Sequence, residues 1–286
     1  MTANTLKTAV LLGLLSAVLL VAGEALYGRQ GLYIGLIFAF AMNFAGYFFS
    51  DKIALMSYAA QPVTETENPD VYRRVAPIVR NLCQRMGLPM PKLWLIPQDS
   101  PNAFATGRNP AHASVAVTAG ILNLMSDTEI EGVVAHELGH VLHRDILISS
   151  VAAVLAGAIS YAGYMLMFFG GGRNSRDNPL AGVGGVVMII LAPLAAGLIQ
   201  MAISRQREYA ADSYGGELCG DPLKLAGALA RLQAENEHIP TETHPAFHNM
   251  YIVEPFSGGG VMSLFSTHPP IEKRIAALRE QAGNPR

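Results

Sequence analysis

Ser126-Asp127-Thr128-Glu129-Ile130-Glu131-Gly132-Val133-Val134-Ala135-His136-Glu137-Leu138-Gly139-His140 is the stretch on which the reading of this chain turns. Ser126 with Glu129 three residues later has the pattern of a capping box, so a helix is expected to start there. Acidic residues come first, apolar ones follow, and no proline interrupts. His136-Glu137-Leu138-Gly139-His140 then spells H-E-x-x-H. Positions i and i+4 share a helix face, so the two imidazoles project side by side and can grip one metal ion. Glu137 sits one residue round, within reach of a water on the open side of that ion. Zinc suits such a site, because two neutral imidazoles and one carboxylate leave a coordination position for water. His143 lies about 10 Å further along the axis from His136, too far to share an ion with it, and reads as a surface or packing histidine.

Directly after Asp145 the chain becomes apolar, and the composition explains why. Hydrophobic residues make up 51% of the 286 and charged ones only 15%, against about a quarter in soluble domains. The deficit is concentrated in four stretches, 8–27, 31–50, 146–169 and 183–203, each near the ~20 residues that cross a bilayer core. The expected fold is therefore a mostly α integral membrane protein with four transmembrane helices and one α+β domain carrying a small β-sheet. That domain is split in sequence. Residues 1–50 form a transmembrane hairpin, 51–145 the first part of the domain with the zinc helix, 146–203 a second hairpin, and 204–286 the rest. No breaker separates the zinc helix from the third span, so one long helix entering the bilayer is expected. A secretory signal at 1–26 fits less well, because a second apolar run follows at Gly31.

The fourth span leads into Ser204-Arg205-Gln206-Arg207-Glu208-Tyr209-Ala210-Ala211-Asp212. A helix returning on the same side of the bilayer can set Glu208 beside the histidines as third metal ligand. Asp212, one turn later, can then accept the remaining N–H of a ligating imidazole and fix its tautomer. Taken alone, these charges would read as a solvated helix face. The H-E-x-x-H at the start of the same hairpin favours the metal reading.

Upstream, Pro62 to Asp70 reads as a polar linker and Tyr72–Met86 as an amphipathic helix with Val75, Ile78, Val79 and Leu82 on one face. Lys92–Pro97 and Ser114–Thr118 read as strands, with Asn102-Ala103-Phe104-Ala105-Thr106-Gly107 between them. An outer edge here offers backbone groups to an extended peptide, making Asn102, Ala103 and Phe104 candidate substrate-binding residues; a simply solvated edge is the alternative. Downstream, Leu223–Ala234 reads as a helix, and the Pro- and Gly-rich stretch 235–265 follows it. His244 and His248 are four apart, but Pro245 spoils their helical register. Ser266-Thr267-His268-Pro269-Pro270 precedes a last helix from Ile271. His268 either donates to a developing oxyanion or caps that helix. Cys83 and Cys219 lack C-x-x-C spacing and read as buried reduced thiols. The net charge of −2 gives no electrostatic case for nucleic acid.

These motifs, in this order and over essentially the whole chain, resemble the HtpX heat-shock membrane metalloproteases, relatives of the CAAX prenyl-protein endopeptidases. The resemblance implies a gluzincin-type zinc endopeptidase (one Zn2+ per chain), multi-pass in the bacterial inner membrane with its catalytic domain in the cytoplasm. It implies a role in quality control and the stress response. The partners would be misfolded membrane proteins or unfolded peptides, the lipid bilayer, and a functional link to an ATP-driven membrane protease. His136, His140 and Glu208 match the zinc ligands and Glu137 the acid/base that activates the water. Asp212 matches the supporting carboxylate and His268 a transition-state donor. Lys7, Lys52, Arg144, Arg205 and Arg207 would then lie inside and Arg29, Arg173 and Arg176 outside, a narrow positive-inside bias. Two rivals are a structural metal protein and a chambered enzyme for prenylated peptides. The first would leave Glu137 without a task, and four spans are few for the second.

Overall fold

A computed structural model of the chain describes residues 3–152, 205–236 and 269–283. A continuous helical run, α1 (Ala3–Ser57), opens it. This run is folded back on itself: Gly28 has φ 57°, Asn43 Nδ2 donates to Ser16 Oγ at 2.8 Å, and a Cβ on Gly35 would lie 2.5 Å from the Leu19 carbonyl oxygen. Residues 27 apart on a straight helix would be about 40 Å apart. Among the described residues one segment, Gly28–Ser57, is long and apolar enough to cross a membrane. Its large side chains face outward, including Tyr33, Ile37, Phe38, Phe40 and Phe44, as a lipid-facing surface requires. The third and fourth apolar stretches lie almost wholly outside the described residues, as do the 170–178 turn, His244, His248 and His268.

Beyond α1 the chain builds a four-stranded sheet from β1 (Gln61–Pro62), β2 (Lys92–Ile96), β3 (Ala103–Thr106) and β4 (Ser114–Thr118), ordered β1-β2-β4-β3. β2 and β4 are parallel, and β1 and β3 flank them antiparallel. Two of these strands differ from the sequence expectation. Gln61–Pro62 pairs with β2 where a linker was expected from Pro62 on, and Ala103–Thr106, the stretch between the two expected strands, is itself a strand. Alternation sorts the side chains. Leu93, Ala103, Ala105, Val115 and Val117 join the main core with α2 (Pro69–Met86). Ile96, Phe104 and Ala116 pack on Ala54, Leu55 and Tyr58 at the end of α1. The sheet is thus clamped between the end of α1 and the rest of the domain.

α3 (Ala119–Leu124) and α4 (Asp127–Leu142) follow. Arg74 of α2 holds their junction, donating to the Leu122 and Met125 carbonyls and to Asp127. The long helix expected through residue 146 does not form. α4 stops at Leu142, His143 caps it, Arg144 takes φ 60°, and a new helix, α5, is described over 145–152. α6 (Arg205–Leu218), α7 (Pro222–Asn236) and α8 (Ile271–Gly283) complete the domain.

α6 packs closely on α4 because small residues meet there. A Cβ on Gly215 would lie 3.0 Å from the His136 backbone nitrogen. Gly215→Val is expected to force the helices apart, lowering the melting temperature in detergent by the equivalent of about 1–3 kcal/mol and releasing bound metal; an unchanged melting curve would contradict this packing. Cys83 and Cys219 are free and buried, and burial pushes both thiols up to about 11. A thiol reagent at pH 8 is expected to label neither in the folded protein and both after unfolding.

Candidate metal centre

The capping box sets where α4 begins. Ser126 Oγ accepts from the Glu129 N–H, and Glu129 Oε2 accepts from the Ser126 N–H at 2.9 Å. From Gly132 to Gly139 every residue of α4 is buried, packed between the sheet, α6 and α7. The helical register brings His136 Nε2 and His140 Nε2 to 3.2 Å from each other, with the rings edge to face. Glu208, at the start of α6, completes the group: Oε1 is 3.5 Å from His140 Nε2 and Oε2 is 3.6 Å from His136 Nε2. A tetrahedral ion bonded at about 2.0–2.2 Å holds its ligand atoms roughly 3.3–3.5 Å apart. The three side chains therefore fit a metal ion with one position left over, and among the described residues they are the group that can do so. His143 stays outside it, its Nδ1 paired with the Gly139 carbonyl and its ring against Tyr214.

Each imidazole has a carboxylate behind it. Asp212 Oδ1 lies 2.8 Å from His136 Nδ1, a hydrogen-bonding separation although the ring N–H direction is off that line. Asp145 Oδ2 lies 3.2 Å from His140 Nδ1. Asp212 is in turn gripped by Arg274 of α8, fully buried, whose Nε and Nη2 donate to its two oxygens at 2.7 Å each. Burial alone would raise the Asp212 carboxyl, but Arg274 and then His136 bring it down to about 2. Burial lowers His140, yet Glu208, Asp145 and Glu137 more than reverse this and raise it to about 9.

Glu137 is 6% exposed and accepts the Ala105 N–H of β3 on Oε2 at 2.9 Å. Burial and Glu208 push its carboxyl up, against the pull of the two histidines and this hydrogen bond, as suits a base that must also give its proton back. The candidate substrate residues are placed differently from one another. Asn102 exchanges backbone and side-chain hydrogen bonds with Thr118 of β4. Phe104 is packed against Tyr58 with ring centres 5.3 Å apart. Ala103 shares with Ala105 the edge of β3 that faces away from β4.

Ala105, Asp145, Arg207 and Arg274 join the site without having been expected from the sequence. Arg274 did leave a signal: it stands on the apolar stripe Ile271–Ile275–Leu278 of α8, where a lone charge needs a buried partner. Asp145 left none, because a continuous helix would have turned it away.

A trio of metal ligands, two of them buried, beside a buried carboxylate and on a domain clamped to an apolar helical run, defines a membrane metallopeptidase. Residues 69–282 match peptidase family M48, and the chain belongs to that family; it is a metalloendopeptidase. Two similar proteins are each described as a Protease HtpX homolog. That of Ralstonia pickettii (strain 12J) is 50% identical over 282 residues, 98% of this chain and 97% of that protein. That of Paraburkholderia phytofirmans is 51% identical over 284 residues, with the same coverage. The crystal structure of S. mikatae Ste24p shares the fold, with TM-score 0.53 at 19% identity over 96% of this chain. The chain spans 64% of the length of Ste24p.

Leaving Asp212 buried without its arginine is costly. Arg274→Met is expected to lower the melting temperature at pH 7 by the equivalent of about 3–5 kcal/mol. Asp212 titrates near 2 when folded and at roughly 3.9 when unfolded, so its contribution is present above the higher value and lost as pH falls through the lower. The gap between wild type and variant should therefore close between about pH 4 and pH 2. A gap independent of pH would contradict the pairing.

Proposed function

We propose that the chain is a zinc-dependent endopeptidase of the bacterial inner membrane that cleaves misfolded or damaged membrane proteins from the cytoplasmic side. The observation that carries this reading is Glu137, buried beside His136, His140 and Glu208 and held there by the Ala105 N–H. A purely structural site would give a buried carboxylate in that place no work. Bound by these three residues, zinc would supply Lewis-acid polarisation of water and of the substrate carbonyl.

The remaining chemistry belongs to the chain. Glu137 takes the proton of the attacking water and delivers it to the leaving amine. Asp212 and Asp145 keep the two imidazoles aimed. An extended substrate lies along the outer edge of β3 as an added strand, with Ala103, the outward-facing member of the Asn102-Ala103-Phe104 segment, supplying backbone partners. His268 directly precedes the prolines leading into α8, the helix that brings Arg274 to the site, and is assigned as the oxyanion donor. Losing such a donor costs about 10²–10³ in rate.

The four-span reading draws on continuity. α5 enters the apolar stretch 146–169, α6 follows 183–203, and the two helices are joined beside the site by Asp145 and Arg207. A chain that leaves and returns at one place, with a polar turn between two apolar stretches, makes a hairpin across the bilayer. Positive residues near the span ends favour a cytoplasmic domain. A site at the membrane surface suits substrates extracted from the bilayer, alongside an ATP-driven membrane protease.

Purified protein in detergent, incubated with an unfolded substrate, tests the chemistry. Glu137→Gln is expected to keep stoichiometric zinc and to lose activity by on the order of 10²–10⁴. Glu208→Ala is expected to lose the zinc itself. Substantial turnover by Glu137→Gln would overturn the assigned role.

A further inference from the structure

Arg144 has a left-handed backbone, φ 60°, a conformation that disfavours any residue with a Cβ. No glycine or proline accounts for a break at this point in the sequence. What the break achieves is visible one residue later. Had α4 continued, Asp145 would stand five residues past His140, about 140° round the axis, facing elsewhere. The turn at His143-Arg144 instead folds Asp145 over His140, with Oδ2 3.2 Å from Nδ1. Its other oxygen, Oδ1, accepts from Arg207 Nη1 at 3.1 Å. The Asp145 and Arg207 side chains are only 6% and 16% exposed. Arg207 immediately precedes Glu208 on α6.

We propose that Asp145, braced by Arg207, is a positioning residue for the metal centre, and that the left-handed turn at Arg144 serves to deliver it. An imidazole whose Nε2 faces the ion must carry its proton on Nδ1, and a carboxylate opposite Nδ1 fixes both that tautomer and the plane of the ring. Asp212 does this for His136; Asp145 does it for His140. The two carboxylates are themselves held by arginines from α8 and α6. Because Arg207 and Glu208 are neighbours, the contact with Asp145 also ties the α6 ligand to the α4 ligand it must meet. Coordination thus depends on how α5 and α6 leave the domain for the apolar stretches.

This inference rests on the metal-site reading, and the experiment separates the two. The zinc dissociation constant is measured on full-length protein in detergent by competition with a chromophoric chelator, with melting temperature followed in parallel. Asp145→Ala is expected to weaken zinc about 10- to 100-fold, and Asp145→Asn, which keeps an acceptor oxygen, to weaken it less. Arg207→Gln should weaken zinc in the wild-type background and add nothing in the Asp145→Ala background. Arg144→Gly, which relaxes the left-handed turn without removing it, should leave zinc affinity unchanged and raise the melting temperature. If both Asp145 variants bind zinc as the wild type does while His140→Ala does not, the positioning role is wrong. An Arg207 effect that adds fully to that of Asp145→Ala would refute the bracing. If His140→Ala also binds like the wild type, the metal reading itself has failed.

Discussion

Glu208 can meet the imidazoles of His136 and His140 only because α6 and α4 approach until Gly215 touches the His136 backbone. A helix radius of ordinary side chains between them would hold the carboxylate several ångströms short. Gly139 against Ala211 continues the same seam. The seam makes the ligands converge, and the convergence brings together charges that would otherwise avoid one another. Glu137, Glu208 and Asp212 are all buried, with Arg274 as the buried cation among them. Such a cluster is expensive without compensation. The bidentate Arg274–Asp212 pair offsets part of the cost, and a cation held between the imidazole nitrogens, 3.2 Å apart, would offset more. Fold and site are thus one arrangement, since the groups that bind the metal also hold the two halves of the domain together.

The placement of this seam relative to the apolar segments gives the molecule its character. The sheet lies with one face on the core and the other on the end of α1, so β3 and the helix carrying the histidines are fixed with respect to α1. α5 and α6 carry the other connection. The Glu137 carboxylate is tied to β3 through Ala105, which places this group and the outer edge of the sheet in one rigid frame. A protease built this way has its sheet edge and its metal-ligand helices held in one frame with the end of α1.

Much of this was legible in the residues, and the limits have physical causes. H-E-x-x-H and Glu208/Asp212 announce themselves because helical periodicity turns a spacing of four into a shared face. The capping box at Ser126 marked the helix start for the same local reason. The break at His143-Arg144 was not legible: it is imposed by tertiary contacts, with Asp145 drawn to His140 and Arg207, and nothing in the local sequence demands it. β3 was missed because Ala-Phe-Ala-Thr is short and becomes a strand only by pairing with β4. Arg274 was readable in principle, as a charge on an apolar stripe. Phe104, expected at the substrate edge, instead fills the core against Tyr58, since consecutive strand residues point to opposite faces.

The site depends on three side chains from two helices closing on one ion, and X-ray absorption at the zinc edge of the purified protein examines that directly. The expected result is one zinc per chain in a shell of nitrogen and oxygen only, at about 2.0–2.1 Å, with imidazole scattering from two histidines. A sulfur shell near 2.3 Å, or scattering from a single imidazole, would contradict it.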